Sequence, residues 1–163
     1  MCKIRKATEK DIKDITKIYN EAIVKTNATF DTEEKTIDKM KKWFKDHSSN
    51  NPIIVSEKDR KIVGFACLSK YSTKNAYSKT TEISLYVKEK YQGKGIGKKL
   101  MEEILKEGRK VGIHAVIARI TDGNDVSINL HEEFGFEKVG MLKEVGKKFG
   151  KLLDVHVLEK IFD

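Results

Sequence analysis

The stretch Tyr91-Gln92-Gly93-Lys94-Gly95-Ile96-Gly97-Lys98 sets three glycines between an alternating pattern and a helical one. Ahead of it, Thr80–Val87 alternates, with Ile83, Leu85 and Val87 on one face and Glu82, Ser84 and Tyr86 on the other. Behind it, Ile96, Leu100, Met101, Ile104, Leu105 and Val111 recur at helical spacing, and Gly112 follows the end. A strand that turns straight into a helix leaves peptide N–H groups at the turn without acceptors. Glycines let a ligand approach that backbone closely. The helix dipole and Lys94, Lys98 and Lys99 add positive potential, so the turn reads as an anion site suited to a pyrophosphate.

Two common phosphate loops do not fit this stretch. Gly93 and Gly97-Lys98 are one residue too close for a Walker A loop, and Lys99 brings no hydroxyl for magnesium. A dinucleotide-binding loop would need glycine where Lys98 stands, and would sit near the start of a βαβ unit.

Working outward, the order of elements is α/β. A strand is expected at Lys3–Lys6, then a helix to about Val24 opened by a Thr8/Asp11 capping box, and a second helix over Thr36–Asp46. Ile53–Ser56 and Ile62–Ser69 read as a hairpin across Glu57–Lys61, followed by Thr80–Val87. After the glycine turn and its helix come a strand at Ala115–Ile120 and a short helix capped by Asn124. Glu137–Val145 and Leu152–Ile161 are two further strands joined by a turn near Gly146–Gly150. No repeat or internal boundary appears, so residues 1–163 are expected to form one domain. Its expected core is a single, mostly antiparallel sheet with helices on both faces.

Composition narrows the function classes. The chain has 163 residues, 39% hydrophobic and 36% charged, which suits a globular fold. No apolar run approaches the roughly 20 residues that cross a bilayer, so no membrane partner is expected and the cytoplasm is the default compartment. Cys2 and Cys67 form no C-x-x-C pair or Cys/His cluster, so neither a metal site nor a disulfide framework is indicated; Cys67 reads as a core residue. The net charge of +8 favours anionic partners. Its lysines are scattered and its few arginines are not interleaved with aromatics, so nucleic acid is not the expected partner.

Gln92, Gly95 and Gly97 fill the pattern Gln/Arg-x-x-Gly-x-Gly/Ala, and here the sequence resembles the GNAT superfamily of acyl-CoA N-acyltransferases. The segment Asn124 to Phe136 resembles a second family motif, Asn-x-x-Ser/Ala-x-x-Leu followed by Gly-Phe. His131 in that motif, Lys143–Gly150, Tyr19-Asn20-Glu21-Ala22 and Ala28-Thr29-Phe30 resemble the phosphinothricin/methionine sulfoximine acetyltransferase branch. The resemblance covers essentially the whole chain. It implies a sheet of about seven strands, splayed between the fourth and fifth, a homodimer, and acetyl-CoA as co-substrate with no metal.

The resemblance also implies roles for particular residues. Gln92, Gly93, Lys94, Gly95, Ile96, Gly97 and Lys98 would hold the pyrophosphate. The main chain of Leu85, Tyr86 and Val87 would hold the acetyl carbonyl and pantetheine, with Asn124 and Ser127 beside the pantetheine arm. Amide formation from an ammonium requires loss of a proton before attack, and the departing sulfur benefits from a donor. Glu82 is the candidate base through a water, and His131 the candidate acid or thiol-orienting group. Periodicity alone reads Glu82 equally as a solvated strand residue or a cation's partner, and Asn124 equally as a helix cap.

The acceptor end is less defined. Phe30, Ser72, Lys74, Tyr77, Glu82 and Ser84 are the candidate substrate residues. The branch places an arginine before the fourth strand for the acceptor's carboxylate; Ser72 stands nearest that place and Lys74 close by, offering a point charge without a fork. The reading is an N-acetyltransferase for a small primary amine, such as an amino acid analogue, by direct attack in a ternary complex. Peptide or protein amine acetylation, a non-catalytic acyl-CoA sensor and a basic nucleic-acid binder are its alternatives.

Overall fold

Residues 1–163 are described by a computed structural model. The apolar patterns become β1 (Lys3–Lys6), α1 (Ile12–Lys25), α2 (Ile37–Asp46), β2 (Ile53–Lys58), β3 (Lys61–Lys70) and β4 (Thr80–Val87). They continue as α3 (Ile96–Lys110), β5 (Ala115–Thr121), α4 (Asp125–Glu133), β6 (Glu137–Lys148) and β7 (Lys151–Ile161). The seven strands form one sheet in the order β1-β2-β3-β4-β5-β7-β6. Only β4 and β5 run parallel.

Turn chemistry shifts several boundaries from those expected. The β2–β3 turn shortens to Asp59-Arg60, both with positive φ, so a two-residue hairpin turn lets both strands run further. Strand β6 passes straight through Gly146, and the chain reverses only at Phe149-Gly150. Within β6 the register slips between Leu142 and Gly146, so Lys143–Val145 bulge out. The peptide N–H of Glu144 in that bulge donates to Asp154 Oδ1 at 2.7 Å. At the first helix, Asp11 accepts from the Thr8 N–H at 2.8 Å, as a capping box requires. A single 3₁₀ turn, Glu9–Asp11, precedes α1.

Two cores sandwich the sheet. On one face Ile54, Val63, Ala66 and Leu68 meet Leu100, Met101 and Ile104 of α3. On the other, Val55, Ile62, Phe65 and Cys67 meet Ile12, Ile15 and Ile18 of α1 and Met40 of α2. β3 is apolar at nearly every position because both its faces are buried, and the bulge opposite Ser56/Glu57 switches its alternation once. Gly64 sits at the switch. A side chain there would lie 3.0 Å from the Tyr86 carbonyl and 3.1 Å from Leu100 Cδ1, so glycine lets α3 pack closely. Cys67 is buried in the second core, which pushes its thiol up to about 11.

The site is positioned by the way β4 and β5 meet. They pair only at Thr80/Ala115, Thr81/Val116 and Glu82/Ile117. Beyond that, β4 stays paired to β3 as far as Val87 and β5 to β7 as far as Thr121, so the two strands part company.

Leu100 is fully buried where α3 crosses β3. Leu100→Ala should cost about 2–5 kcal/mol of stability. Chemical denaturation should then show a lowered midpoint with an unchanged slope.

Candidate active site

The phase of the β3–β4 ladder decides which peptide groups face the gap. Tyr71 N–H donates to Thr80 O at one end, and Lys88 N–H donates to Val63 O at the other. Antiparallel ladders alternate, so the peptides of Glu82, Ser84 and Tyr86 bond to β3. Those of Ile83, Leu85 and Val87 point toward the opening. Of the three residues expected to offer main-chain groups, Leu85 and Val87 therefore do so and Tyr86 does not. Tyr86 contributes its ring instead, packed on Tyr19 at 5.3 Å and Phe65 at 5.5 Å between centroids.

The glycine turn lies just past the end of β4. None of the peptide N–H groups from Gly93 through Lys98 has an acceptor within the chain. Gly93 and Gly95 both adopt positive φ, 74° and 81°, a backbone that glycine holds without strain. Gln92 serves by tying the loop down: its Nε2 donates to the Val87 carbonyl at 3.0 Å. Lys98 is paired to Glu133 of α4 at 3.0 Å, and Lys94 stands over the Tyr91 ring. These lysines supply potential around the loop, while Gln92, Gly93, Ile96 and Gly97 line the opening itself.

The opening is a cavity of about 920 Å³. On its α4 side, Asn124 Oδ1 caps the helix by accepting from Ser127 N–H at 3.3 Å, leaving its amide nitrogen unused. His131 is only 6% exposed yet lines the cavity, with its ring edge-on to Phe136. Its Nδ1 lies 2.7 Å from the Ser127 carbonyl. A carbonyl only accepts, so Nδ1 carries the proton. Burial pushes the ring below its ordinary value, the Ser127 bond opposing this, and the ring is neutral near pH 7. In that tautomer Nε2 holds a lone pair and no proton. The sequence places His131 toward the coenzyme rather than the core; in the structure it lines the cavity while its ring packs on core Phe136.

At the acceptor end Glu82 meets Arg119 of β5 through a two-pronged ion pair, Nε to Oε2 at 2.6 Å and Nη2 to Oε1 at 2.7 Å. The carboxylate's bonds to Arg119 raise that guanidinium's affinity for its proton. Phe30, Ser84 and Glu82 line the cavity as expected. Ser72, Lys74 and Tyr77 do not. Ser72 Oγ accepts from the Lys74 N–H at 3.2 Å in a local turn, and Tyr77 stacks on Tyr71, so the β3–β4 loop satisfies itself outside the cavity.

Several lining residues were not singled out from sequence. Arg119 is one; its signal was a lone arginine in the apolar run Ala115–Ile120. The segment that carries Phe30 is another. Tyr19 hydroxyl bonds Thr29 Oγ1 at 2.9 Å and also Asp31, and Lys148 Nζ donates to the Thr29 carbonyl at 2.8 Å. Burial pushes the Lys148 amine down, partly offset by Asp31. These bonds join α1, the α1–α2 loop and β6 from positions more than 100 residues apart in places.

Residues 4–157 match the family model described as an acetyltransferase (GNAT) domain. The chain belongs to the GNAT acetyltransferase family. Among its GNAT relatives, an L-methionine sulfoximine/L-methionine sulfone acetyltransferase of Salmonella typhimurium is 33% identical over 98% of this chain and 94% of its own length. A ribosomal-protein-alanine N-acetyltransferase of Brucella melitensis, solved by crystallography, superposes with a TM-score of 0.95 at 35% identity, over 98% of this chain and 99% of the other. A GNAT phosphinothricin acetyltransferase of Sinorhizobium meliloti, crystallised with AcCoA, superposes with a TM-score of 0.95 at 31% identity, over 99% of this chain and 88% of the other. The seven-stranded sheet with its parallel β4–β5 pair is the GNAT fold, and the chain is an N-acetyltransferase.

The His131 environment gives a pH prediction. A histidine whose folded value lies below its unfolded 6.5 binds fewer protons when folded. Its contribution is present above about 6.5 and is lost as pH falls toward the folded value. His47, lowered by burial too, acts with the same sign. Melting temperature should fall as pH drops from 7 to 5, and His131→Gln should flatten that slope.

Proposed function

We propose that this chain transfers an acetyl group from acetyl-CoA to the primary amine of a small molecule, an amino acid analogue such as methionine sulfoximine or phosphinothricin. The reading rests on one observation above all: the row of unpaired N–H groups at Gly93–Lys98 opens onto the same cavity as the parted edge of β4. The row fits a pyrophosphate. The Leu85 and Val87 N–H groups suit the pantetheine amides and the thioester carbonyl, where charge grows during attack. The Asn124 amide nitrogen is free to meet a pantetheine carbonyl.

The amine attacks the thioester carbonyl directly; as the carbon–sulfur bond breaks, the proton that the new amide nitrogen sheds goes to the departing sulfur, which leaves as the thiol. Glu82, through a water, takes the proton that the ammonium must lose. His131, neutral and with a bare Nε2, has no proton to give the thioester sulfur, and Nε2 instead suits accepting from the S–H of the released thiol. Ser84 and Phe30 shape the acceptor end. The name of the Brucella melitensis relative gives one reason to include an alanine-initiated peptide among the acceptors tested.

The exposed Val139, Met141 and Val145 of β6, Leu152 of β7 and Phe149 in the turn between them support a homodimer through that edge, which sedimentation would test. No helix is long and apolar enough to cross a membrane. With both cysteines free, the reading places this single-domain enzyme in the cytoplasm.

Calorimetric titration with acetyl-CoA should give one site in the wild type and none in Gly95→Val. At φ 81° a β-branched side chain is strained whatever the space around it. Glu82→Gln should keep acetyl-CoA affinity and lower turnover by about 10²–10⁴-fold near pH 7. Unchanged turnover would remove Glu82 from the reaction.

A further inference from the structure

The guanidinium of Arg119 has two edges, and Glu82 occupies only one of them. Nε and Nη2 form the side edge and bind the two carboxylate oxygens at 2.6 and 2.7 Å. The end edge, Nη1 with the second hydrogen of Nη2, makes no hydrogen bond within the chain. Arg119 lines the cavity with 56% of its side chain exposed, so this edge is open to a ligand. The other cations nearby are already committed. Lys25 is paired to Glu89 at 3.0 Å, and buried Lys148 donates to the Thr29 carbonyl.

A planar fork with two parallel N–H groups matches a carboxylate better than it matches any neutral group. We infer that the end edge of Arg119 binds the α-carboxylate of the acceptor, making Arg119 the residue that selects α-amino acids over simple amines. This rests on the acetyl-transfer reading above and names its acceptor class. In an α-amino acid one carbon separates the amine from the carboxylate. A carboxylate seated on one edge of the guanidinium therefore sets the ammonium beside the carboxylate held on the other. Arg119 is then a bridge: it fixes Glu82 and the acceptor in one plane. The positive charge also offsets the repulsion that two carboxylates would otherwise feel in one pocket.

The test compares L-methionine sulfone with 3-(methylsulfonyl)propan-1-amine, the same molecule without its carboxyl group. Thiol release from acetyl-CoA is measured for wild type, Arg119→Lys and Arg119→Gln. Wild type should prefer the amino acid by about 100-fold in kcat/KM, and Arg119→Gln should reduce that preference at least about tenfold, mainly through the amino acid's KM. Arg119→Lys, which keeps a charge but no fork, should fall between. Any effect of the substitution on Glu82 or on folding touches both acceptors alike and cancels in the ratio. Release with an unchanged ratio in Arg119→Gln would overturn this inference and leave the acetyl-transfer reading standing. No release by the wild type with either compound, despite acetyl-CoA binding, would overturn both.

Discussion

Everything at this site depends on two strands that begin as partners and cannot remain so. β4 and β5 share only three residue pairs, because each is held more extensively on its other side, β4 by β3 and β5 by β7. The sheet twist that strands impose on one another then separates their far ends. A parted sheet interior would normally cost free energy, since the freed peptide groups lose partners. Here Leu85 and Val87 line the open cavity, where a ligand could meet their N–H groups. The same separation gives α4 room to cover one wall and brings β6 to the other.

The glycine turn completes what the parting begins. Gln92 ties the loop back to the Val87 carbonyl, so the free donors of the loop and of β4 belong to one rigid surface. A loop that lost this bond would still carry glycines but would not hold its donors at a fixed distance from the strand. The Lys98–Glu133 pair adds a tie between α3 and α4, though an exposed pair of this kind adds little to stability. The proposed anion site would therefore be made by backbone geometry first and by lysine charge second.

Much of this was readable from residues in local succession. The alternation of Thr80–Val87, the glycines and the helical stripe that follows concern neighbours in the chain, and each kept its place. What stayed hidden involved residues far apart in sequence. Arg119 reaches Glu82 across the strand gap, and Lys148 reaches Thr29 across 119 residues of chain. Ladder phase was hidden too. Composition gives no sign that Tyr86 turns its peptide to β3 while its neighbours turn theirs to the opening. Ser72, Lys74 and Tyr77 were drawn in by sequence position, yet a local turn and a Tyr71–Tyr77 stack hold them outside the cavity.

The Glu82–Arg119 pair carries a consequence for how such a site can afford a base next to a cation. A carboxylate held by two short charge-assisted bonds is well oriented but has both oxygens engaged. Each oxygen retains a second lone pair, and those remaining positions are what a bridging water can occupy. The proposed proton removal by way of water would therefore need no disruption of the ion pair. In the proposed reaction the arginine would fix the carboxylate's position while a water carried the proton, so orientation and proton transfer would fall to different partners of the same side chain.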